Sequence, residues 1–306
     1  MPKVLVATVK PFALAAVKQI REIIENAGYE FALLEKYGDK SDLHKAVVDA
    51  DAMIIRSDEV DSEVIEAAEN LKIVVRAGAG YDNIDLQAAS GKNVVAMNTP
   101  GQNSNAVAEL ALGMMVYMAR NQFNGTPGSE LKDKTLGIHA YGYVGKIVAR
   151  IAMGFGMEIY AFDPFLDDAV FEEDGVTRVN SAEELYGSSQ YVSLHIPAND
   201  QTRGSINYDL ISLMPEGAVL VNTARKEVVD EESLTRIFKE RADFRYVSDI
   251  APANGTELKS QFPDNCFFTP KKMGAQTAEA NINAGVAAAE QIVAFFEKGD
   301  TTFKVN

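Results

Sequence analysis

A stretch near the middle of the chain combines a short apolar run, a glycine-rich turn, a helical pattern and a second apolar run that ends at an acid. The apolar runs at 135–140 and 158–162 have the length of buried strands, and the residues between them show the spacing of an amphipathic helix. The turn contains Gly142 and Gly145, and the acid is Asp163. This order of elements predicts a βαβ unit that binds a dinucleotide.

Each part of this unit has a physical task. Gly142 lets the backbone approach a pyrophosphate, and Gly145 lets the helix pack close to its strand. The helix N-terminus offers unpaired N–H groups and a partial positive charge to the phosphates. Asp163 is placed to accept hydrogen bonds from ribose hydroxyls, and its charge disfavours a 2′-phosphate, so we expect NAD rather than NADP. The predicted cofactor contacts here are Gly142, Tyr143, Val144, Gly145, Asp163 and Pro164.

One position departs from the usual Gly-x-Gly-x-x-Gly pattern, because Ala140 stands where the first glycine is expected. A methyl group is tolerable there if the residue keeps a negative φ, which is what we expect. The alternative interpretation is an ordinary strand–helix turn that binds nothing. The flanking strands and the terminal acid favour the dinucleotide site.

Length and charge limit the possible functions. A chain of 306 residues is too long for one small core, so two domains are expected. The single Cys266 rules out an intrachain disulfide, and the amino terminus lacks a signal-peptide pattern, so we expect a cytoplasmic protein. A net charge of −15 argues against nucleic acid and membrane surfaces as partners. A small anionic substrate would therefore need a site that is locally rich in arginine or lysine.

The first hundred residues alternate between short apolar runs and amphipathic stretches, which predicts an open parallel sheet with helices on both faces. Two of the apolar runs end in arginine. Ser57 follows the first of these, Arg56, and Ala77 and Gly78 follow the second, Arg76. One such arginine usually only marks the exit of a strand to solvent. Two at equivalent strand ends favour an anion site. The fold class expected for the whole chain is α/β, with two doubly wound parallel sheets.

Several segments resemble the D-isomer-specific 2-hydroxyacid dehydrogenases. Besides the glycine loop, they are Arg76–Asp85, Asn98–Gly101, Val107–Leu110, His195–Pro197 and Val221–Asp230. Within that family, the Arg56 and Arg76 segments are most similar to the short-form phosphoglycerate dehydrogenases of serine biosynthesis. The resemblance implies NAD-dependent oxidation of D-3-phosphoglycerate to 3-phosphohydroxypyruvate by hydride transfer.

The family fold implies a discontinuous, flavodoxin-like substrate domain at 1–98 and 283–306, and an inserted Rossmann NAD domain at 99–282. The active cleft is expected at their junction. The long, apolar helical pattern that begins near Asn103 is expected to help form a homodimer, as the corresponding region does in the family.

Site residues follow from the resemblance position by position. Arg225 matches the arginine that binds the substrate carboxylate and keto oxygen, a task that suits its planar fork. Arg56, Ser57, Arg76 and Gly78 are expected to bind the rest of the substrate. The remaining expected cofactor contacts are His195, Pro197, Thr223, Ala224, Asp249 and Gly274. No metal is expected.

The catalytic dyad of the family is missing. Asn254 stands at the position of the usual glutamate, so we count it with the catalytic candidates. The histidine segment contains Lys271 and Lys272 instead, and it is one residue longer than usual. Alignment on Met273–Thr277 selects Lys272, whereas alignment on Pro270 selects Lys271. We favour Lys272 as the general acid and base.

A lysine already has a high reference pKa, about 10.4, so it needs no glutamate to keep its proton. To act as a base it needs a lower pKa, which desolvation and neighbouring cations would provide. The loss of the glutamate is therefore consistent with the replacement of the catalytic histidine by lysine. Two alternatives stay open: a catalytically inactive NAD sensor or corepressor, and a dehydrogenase for glyoxylate, hydroxypyruvate or another D-2-hydroxy acid.

Overall fold

The computed structural model describes residues 1–306, which form two compact units. Unit 1 comprises 1–103 and 276–306, and unit 2 comprises 104–275. The boundaries expected from the sequence, after residues 98 and 282, lie several residues away, and the second falls inside a helix. The assignment of substrate and cofactor to the two units stays a prediction.

Unit 1 is a five-stranded parallel sheet with helices on both faces, in the strand order β2-β1-β3-β4-β5. This is the flavodoxin-like order that the resemblance implies. The strands are β1 (Lys3–Thr8), β2 (Glu30–Glu35), β3 (Ala52–Ile55), β4 (Ile73–Arg76) and β5 (Val95–Asn98). The helices are α1 (Leu14–Asn26), α2 (Lys40–Val47), α3 (Ser62–Ala67), α4 (Leu86–Gly91) and the last helix of the chain, α12 (Ala278–Lys298).

The continuous apolar run of β1 reflects burial on both faces of this sheet. Leu5 and Ala7 face one hydrophobic core, and Val4 and Val6 face the other, which α1 and α12 cover. All four side chains are at most 2% exposed. Full burial of an aliphatic side chain is worth about 1.5–3 kcal/mol, so the run favours an interior strand, and β1 lies between β2 and β3.

Unit 2 is a seven-stranded parallel sheet in the order β12-β11-β10-β9-β6-β7-β8, the Rossmann arrangement in which the strand order reverses between β6 and β9. Its strands are β6 (Thr135–His139), β7 (Glu158–Phe162), β8 (Thr177–Arg178), β9 (Tyr191–Leu194), β10 (Val219–Asn222), β11 (Arg245–Ser248) and β12 (Cys266–Phe268). Its helices are α5 (Ser104–Ala119), α6 (Tyr143–Gly154), α7 (Asp168–Glu173), α8 (Ala182–Ser188), α9 (Tyr208–Ser212), α10 (Glu231–Glu240) and α11 (Gly255–Gln261). The two-sheet α/β fold class is confirmed.

Helix α5 is apolar around most of its circumference, and ten of its sixteen residues are buried. Much of its apolar surface therefore has a partner inside the chain, and the homodimer stays a prediction. None of the helices is both long and apolar enough to span a membrane.

Candidate active site

The glycine turn has the geometry of a dinucleotide loop. Gly142 is the N-cap of α6, and a Cβ placed on it would meet no atom within 4 Å, so its backbone is open to a ligand. A Cβ on Gly145 would lie 2.5 Å from the carbonyl oxygen of Ala140 and 3.0 Å from the side chain of Ile138. Only glycine lets the helix pack this close to β6. Tyr143 and Val144 form the first turn of α6, where N–H groups point out of the helix.

The expected negative φ at Ala140 is wrong, because this residue has a φ of +76°. Its N–H donates to the carbonyl oxygen of Phe162 at 2.9 Å, and its own carbonyl lies against Gly145. These two contacts hold the peptide in the left-handed region, where an L-residue is disfavoured by roughly 1–2 kcal/mol. The usual glycine avoids this cost, so the loop of this chain carries local strain.

Asp163 fixes the same loop through its carboxylate. One oxygen accepts a hydrogen bond from the Tyr141 N–H and the other from the Phe165 N–H, both at 3.0 Å. Asp163 is 9% exposed, whereas Pro164, the next residue, is exposed. A carboxylate has about four acceptor positions, so two are left for ribose hydroxyls.

The central strands β6 and β9 end in two histidines at the point where the strand order reverses. The His195 N–H donates to the carbonyl oxygen of His139 at 2.9 Å, and Ser193 Oγ lies 3.0 Å from His195 Nε2. Burial lowers the pKa of His139 to about 4 and that of His195 to about 3. Both rings are therefore neutral at pH 7, and His139 packs against Phe162 and Tyr186 as a core residue. Pro197 lies exposed beyond β9.

Lys272 and Arg225 meet at one backbone oxygen. Lys272 Nζ donates to the carbonyl of Ala224 at 2.8 Å, and Arg225 Nη1 donates to the same oxygen at 2.9 Å. Although much of Lys272 is exposed, its amino group is partly buried at this contact, and this burial, followed by the charge of Arg225, lowers its pKa. Asp249 and Glu227 oppose the shift. Lys271 is exposed, and its amino group forms no hydrogen bond or salt bridge.

The loop that carries Lys272 is held by Asp249. One oxygen of this fully buried carboxylate accepts the Gly274 N–H at 2.8 Å, and a Cβ on Gly274 would lie 2.9 Å from that oxygen. Burial raises the pKa of Asp249, although the Gly274 hydrogen bond and the Lys272 charge act to lower it. The other oxygen of Asp249 and the hydroxyl of Thr223 are buried without a hydrogen-bond partner. These two orphaned acceptors fit a polar ligand bound beyond the strands.

Asn222, to which no role was assigned from the sequence, organises the turn before Arg225. Its side chain accepts the Ala224 N–H at 3.0 Å and donates to the Arg225 carbonyl at 2.9 Å. Both contacts fix the peptide between Ala224 and Arg225, whose oxygen accepts hydrogen bonds from the Lys272 and Arg225 side chains. Its place at the carboxyl end of β10 is the one signal that could have indicated it.

The side chain of Asn254 is hydrogen-bonded to α10. Its side-chain amide donates to Thr235 Oγ1 at 2.9 Å and to the carbonyl of Glu231 at 3.4 Å, both on α10. No hydrogen bond joins it to Lys272 or Arg225. The residue that occupies the expected glutamate position therefore links α11 to α10.

In unit 1, Arg56 lies where the strand order reverses between β1 and β3. Its Nη1 donates to the carbonyls of Lys10 and Pro11, both at 2.9 Å, and its Nη2 donates to Asn281 Oδ1 at 2.6 Å. The guanidinium carbon lies 5.0 Å from the centre of the Phe12 ring. The side chain is thus held by the loop after β1 and by α12.

Arg76 ends the neighbouring strand, paired in register with Ile55. Its Nε donates to the carbonyl of Arg56 at 3.0 Å, so the two arginines lie side by side at one sheet edge, as expected. Gly78 has a φ of +147°, and a Cβ there would lie 1.6 Å from the Arg76 guanidinium. Glycine is favoured by this positive φ, and a larger residue would also displace the guanidinium that lies over it. Ser57 is exposed beside them.

A second cluster in unit 1 has ligand-like composition. His44, Asp61 and Glu63 bring one ligand atom each to within 4.8 Å of one another. Lys40 pairs with both carboxylates, so its positive charge already offsets part of their negative charge. His44 is half-buried.

Residues 104–271, more than half of the chain, match the NAD binding domain of the D-isomer specific 2-hydroxyacid dehydrogenases. The chain belongs to this family. The predictions of the family, of NAD as cofactor and of an NAD-dependent D-2-hydroxyacid dehydrogenase are thereby confirmed. The preference for NAD over NADP through Asp163 stays a prediction.

Individual relatives narrow the comparison. A crystal structure of NAD⁺-bound 3-phosphoglycerate dehydrogenase from Entamoeba histolytica is 50% identical, with a TM-score of 0.86, and the match covers 100% of this chain and 98% of that one. A hydroxypyruvate reductase of Thermotoga maritima is 36% identical over 86% of this chain and 90% of its own length. A D-3-phosphoglycerate dehydrogenase of Methanocaldococcus jannaschii is 38% identical over 83% of this chain but only 51% of its own. The chain thus spans about half the length of that longer dehydrogenase.

The strained loop gives a stability prediction. Ala140→Gly should raise the free energy of unfolding by about 0.5–1 kcal/mol, because relief of the left-handed strain exceeds the extra flexibility of glycine in the unfolded chain. Urea unfolding would measure it. The control is Ala169→Gly, an exposed alanine of α7 in the same unit, which should lose up to about 1 kcal/mol. Equal destabilisation by both variants would contradict the strain at Ala140.

Proposed function

We propose that this enzyme oxidises D-3-phosphoglycerate to 3-phosphohydroxypyruvate, the reaction class that opens serine biosynthesis from glycolytic phosphoglycerate. The observation that carries the proposal is the pairing of Lys272 with Arg225 on the Ala224 carbonyl, together with a second, arginine-lined anion site in unit 1. The 50% identical phosphoglycerate dehydrogenase supports the choice of substrate.

The cofactor fits the residues of unit 2. The open backbone of Gly142 and the first turn of α6 would hold the pyrophosphate, and Asp163 the adenosine ribose. The unpaired oxygens of Thr223 and Asp249 would bind the polar groups of the nicotinamide half. When bound, NAD supplies the acceptor for the hydride that leaves C2 of the hydroxy acid.

Arg225 binds the substrate carboxylate and the C2 oxygen in this proposal. Its Nη1 is anchored to the Ala224 carbonyl, which leaves N–H groups on the rest of the planar fork for a bidentate contact. Its positive charge also stabilises the negative charge that develops on the C2 oxygen during the reaction.

Lys272 takes the hydroxyl proton. As the C2–H bond breaks, the O–H proton passes to the neutral Lys272 amine, and a carbonyl forms at C2. Burial and Arg225 favour the neutral amine at a lower pH than usual, which replaces the tuning that a histidine and glutamate would provide. In this proposal Asn254 takes no part in the proton transfer, since its amide is bonded to α10.

Arg56 and Arg76 bind the substrate phosphate, with Ser57 and the Gly78 backbone beside them. The two guanidinium groups at the reversal point of the unit 1 sheet supply the local positive charge that a chain of net charge −15 otherwise lacks. A substrate without a phosphate would have no use for this pair.

A second candidate function is the reduction of hydroxypyruvate or glyoxylate. It is favoured by the Thermotoga maritima hydroxypyruvate reductase, which this chain matches over 90% of that protein's length. The same Lys272 and Arg225 chemistry would serve it in the reverse direction.

A substrate panel separates the two candidates. We expect kcat/KM with NAD to be roughly 10- to 100-fold higher for D-3-phosphoglycerate than for D-glycerate, as charge-assisted hydrogen bonds to the phosphate would give. NADH oxidation with hydroxypyruvate, glyoxylate and 3-phosphohydroxypyruvate is measured alongside. In either direction, a higher kcat/KM for the unphosphorylated acid than for its phosphorylated counterpart would select the second candidate.

Paired lysine variants test the mechanism. Lys272→Ala should lower kcat by about 10²–10⁴-fold, the usual contribution of a positioned proton carrier, while NAD affinity stays near native. Lys271→Ala is the matched control, an exposed neighbour that should keep nearly full activity. Loss of activity in the Lys271 variant alone would shift the assignment by one residue. Full activity in both would remove lysine from the mechanism.

A further inference from the structure

The Arg56 guanidinium donates three hydrogen bonds in unit 1, and Asn281 accepts one of them. We propose that Asn281 is a positioning residue that orients Arg56 and keeps the charge of Arg56 available for the substrate phosphate. This inference rests on the phosphate-binding role proposed for Arg56 above. It concerns contacts within unit 1 only.

A count of donors shows what Asn281 achieves. A guanidinium has five N–H donors. Nη1 donates to the carbonyls of Lys10 and Pro11, and one N–H of Nη2 goes to Asn281 Oδ1. Nε and Nη2 each keep one N–H that donates no hydrogen bond within the protein. These adjacent nitrogens form a fork that suits two oxygens of a phosphate.

The amide of Asn281 is itself held in one orientation. Its Nδ2 donates to the carbonyl of Thr277 at 2.7 Å, and Thr277 is the N-cap of α12, with its hydroxyl accepting from the Ala280 N–H. Because the nitrogen is occupied there, the oxygen faces Arg56. The start of α12 and the loop after β1 therefore grip the guanidinium from two sides.

The charge of residue 281 matters as much as its shape. Asp58, whose carboxylate accepts the Arg56 backbone N–H, is already a negative charge close to Arg56. The neutral amide of Asn281 accepts one N–H without adding a second one. A carboxylate of the same size would form an ion pair with Arg56 and compete with the phosphate for it. An asparagine thus orients the arginine without reducing its attraction for a dianion.

Steady-state kinetics with D-3-phosphoglycerate and with D-glycerate test this role. Asn281→Ala should raise KM for the phosphorylated substrate about tenfold, as loss of a hydrogen bond to a charged group would, with kcat nearly unchanged. Asn281→Asp should raise it further, because the carboxylate neutralises Arg56. KM for D-glycerate should change little in either variant. A uniform rise for both substrates would indicate a merely structural residue and overturn the proposal.

Two controls accompany these variants. Asn283→Asp places the same charge on an exposed position of α12 and should leave both KM values native. In an Arg56→Ala background, Asn281→Ala should have no further effect, since it acts through Arg56. An equal effect of Asn281→Ala with and without Arg56 would contradict the proposal, as would native KM values in both Asn281 variants.

Binding of inorganic phosphate, followed by thermal shift, provides a readout that needs no turnover. If the native protein binds phosphate and Asn281→Asp does not, the inference stands even where D-3-phosphoglycerate is not oxidised, and only the proposed function fails. If D-3-phosphoglycerate is oxidised but neither phosphate affinity nor KM changes in the Asn281 variants, the inference fails and the proposed function stands. Absence of phosphate binding together with absence of turnover overturns both.

Discussion

Two cationic side chains share one backbone carbonyl in this protein, and the proposed chemistry depends on that contact. The Ala224 oxygen accepts from both Lys272 and Arg225, which brings the proposed proton carrier beside the guanidinium proposed to bind the substrate carboxylate. Proximity of two positive charges, added to burial, favours the neutral form of the lysine. A histidine needs a nearby carboxylate to keep its proton, whereas a lysine needs the opposite environment. The neutral side chain of Asn254, which is bonded to α10, agrees with this requirement because it carries no carboxylate.

The backbone around this carbonyl is fixed from several directions. Asn222 holds the peptides of Ala224 and Arg225, and Asp249 holds the Gly274 N–H in the loop that carries Lys272. All of these groups lie beyond the carboxyl ends of parallel strands, where backbone groups are left without sheet partners. Buried carboxylates and amides satisfy those groups, and they leave the reactive side chains little freedom. The Arg56 site in unit 1 is built in the same way, from loop carbonyls and one helix amide.

Much of this organisation could be predicted from the sequence. Apolar runs located the long strands, and the glycines with Asp163 located the cofactor loop, because periodicity and glycine spacing are local properties. The two-residue strand β8 has no apolar run and escaped prediction. The positive φ of Ala140 and the direction of the Asn254 amide depend on contacts with Phe162 and α10, which are distant in sequence. The Asn281 contact with Arg56 joins residues 225 positions apart and gave no local sign, whereas Asn222 was indicated only by its place at the carboxyl end of β10.

The pH dependence of kcat/KM in both reaction directions tests the lysine mechanism most directly. Above about pH 7 the substrate phosphate is fully ionised, so the profile reports the enzyme. Oxidation requires neutral Lys272 and should rise with pH through a pKa below the ordinary lysine value of 10.5, whereas reduction requires the protonated form and should fall through the same pKa. Both inflections should vanish in Lys272→Ala. Profiles of the same sign in the two directions, or inflections that survive this substitution, would contradict the account.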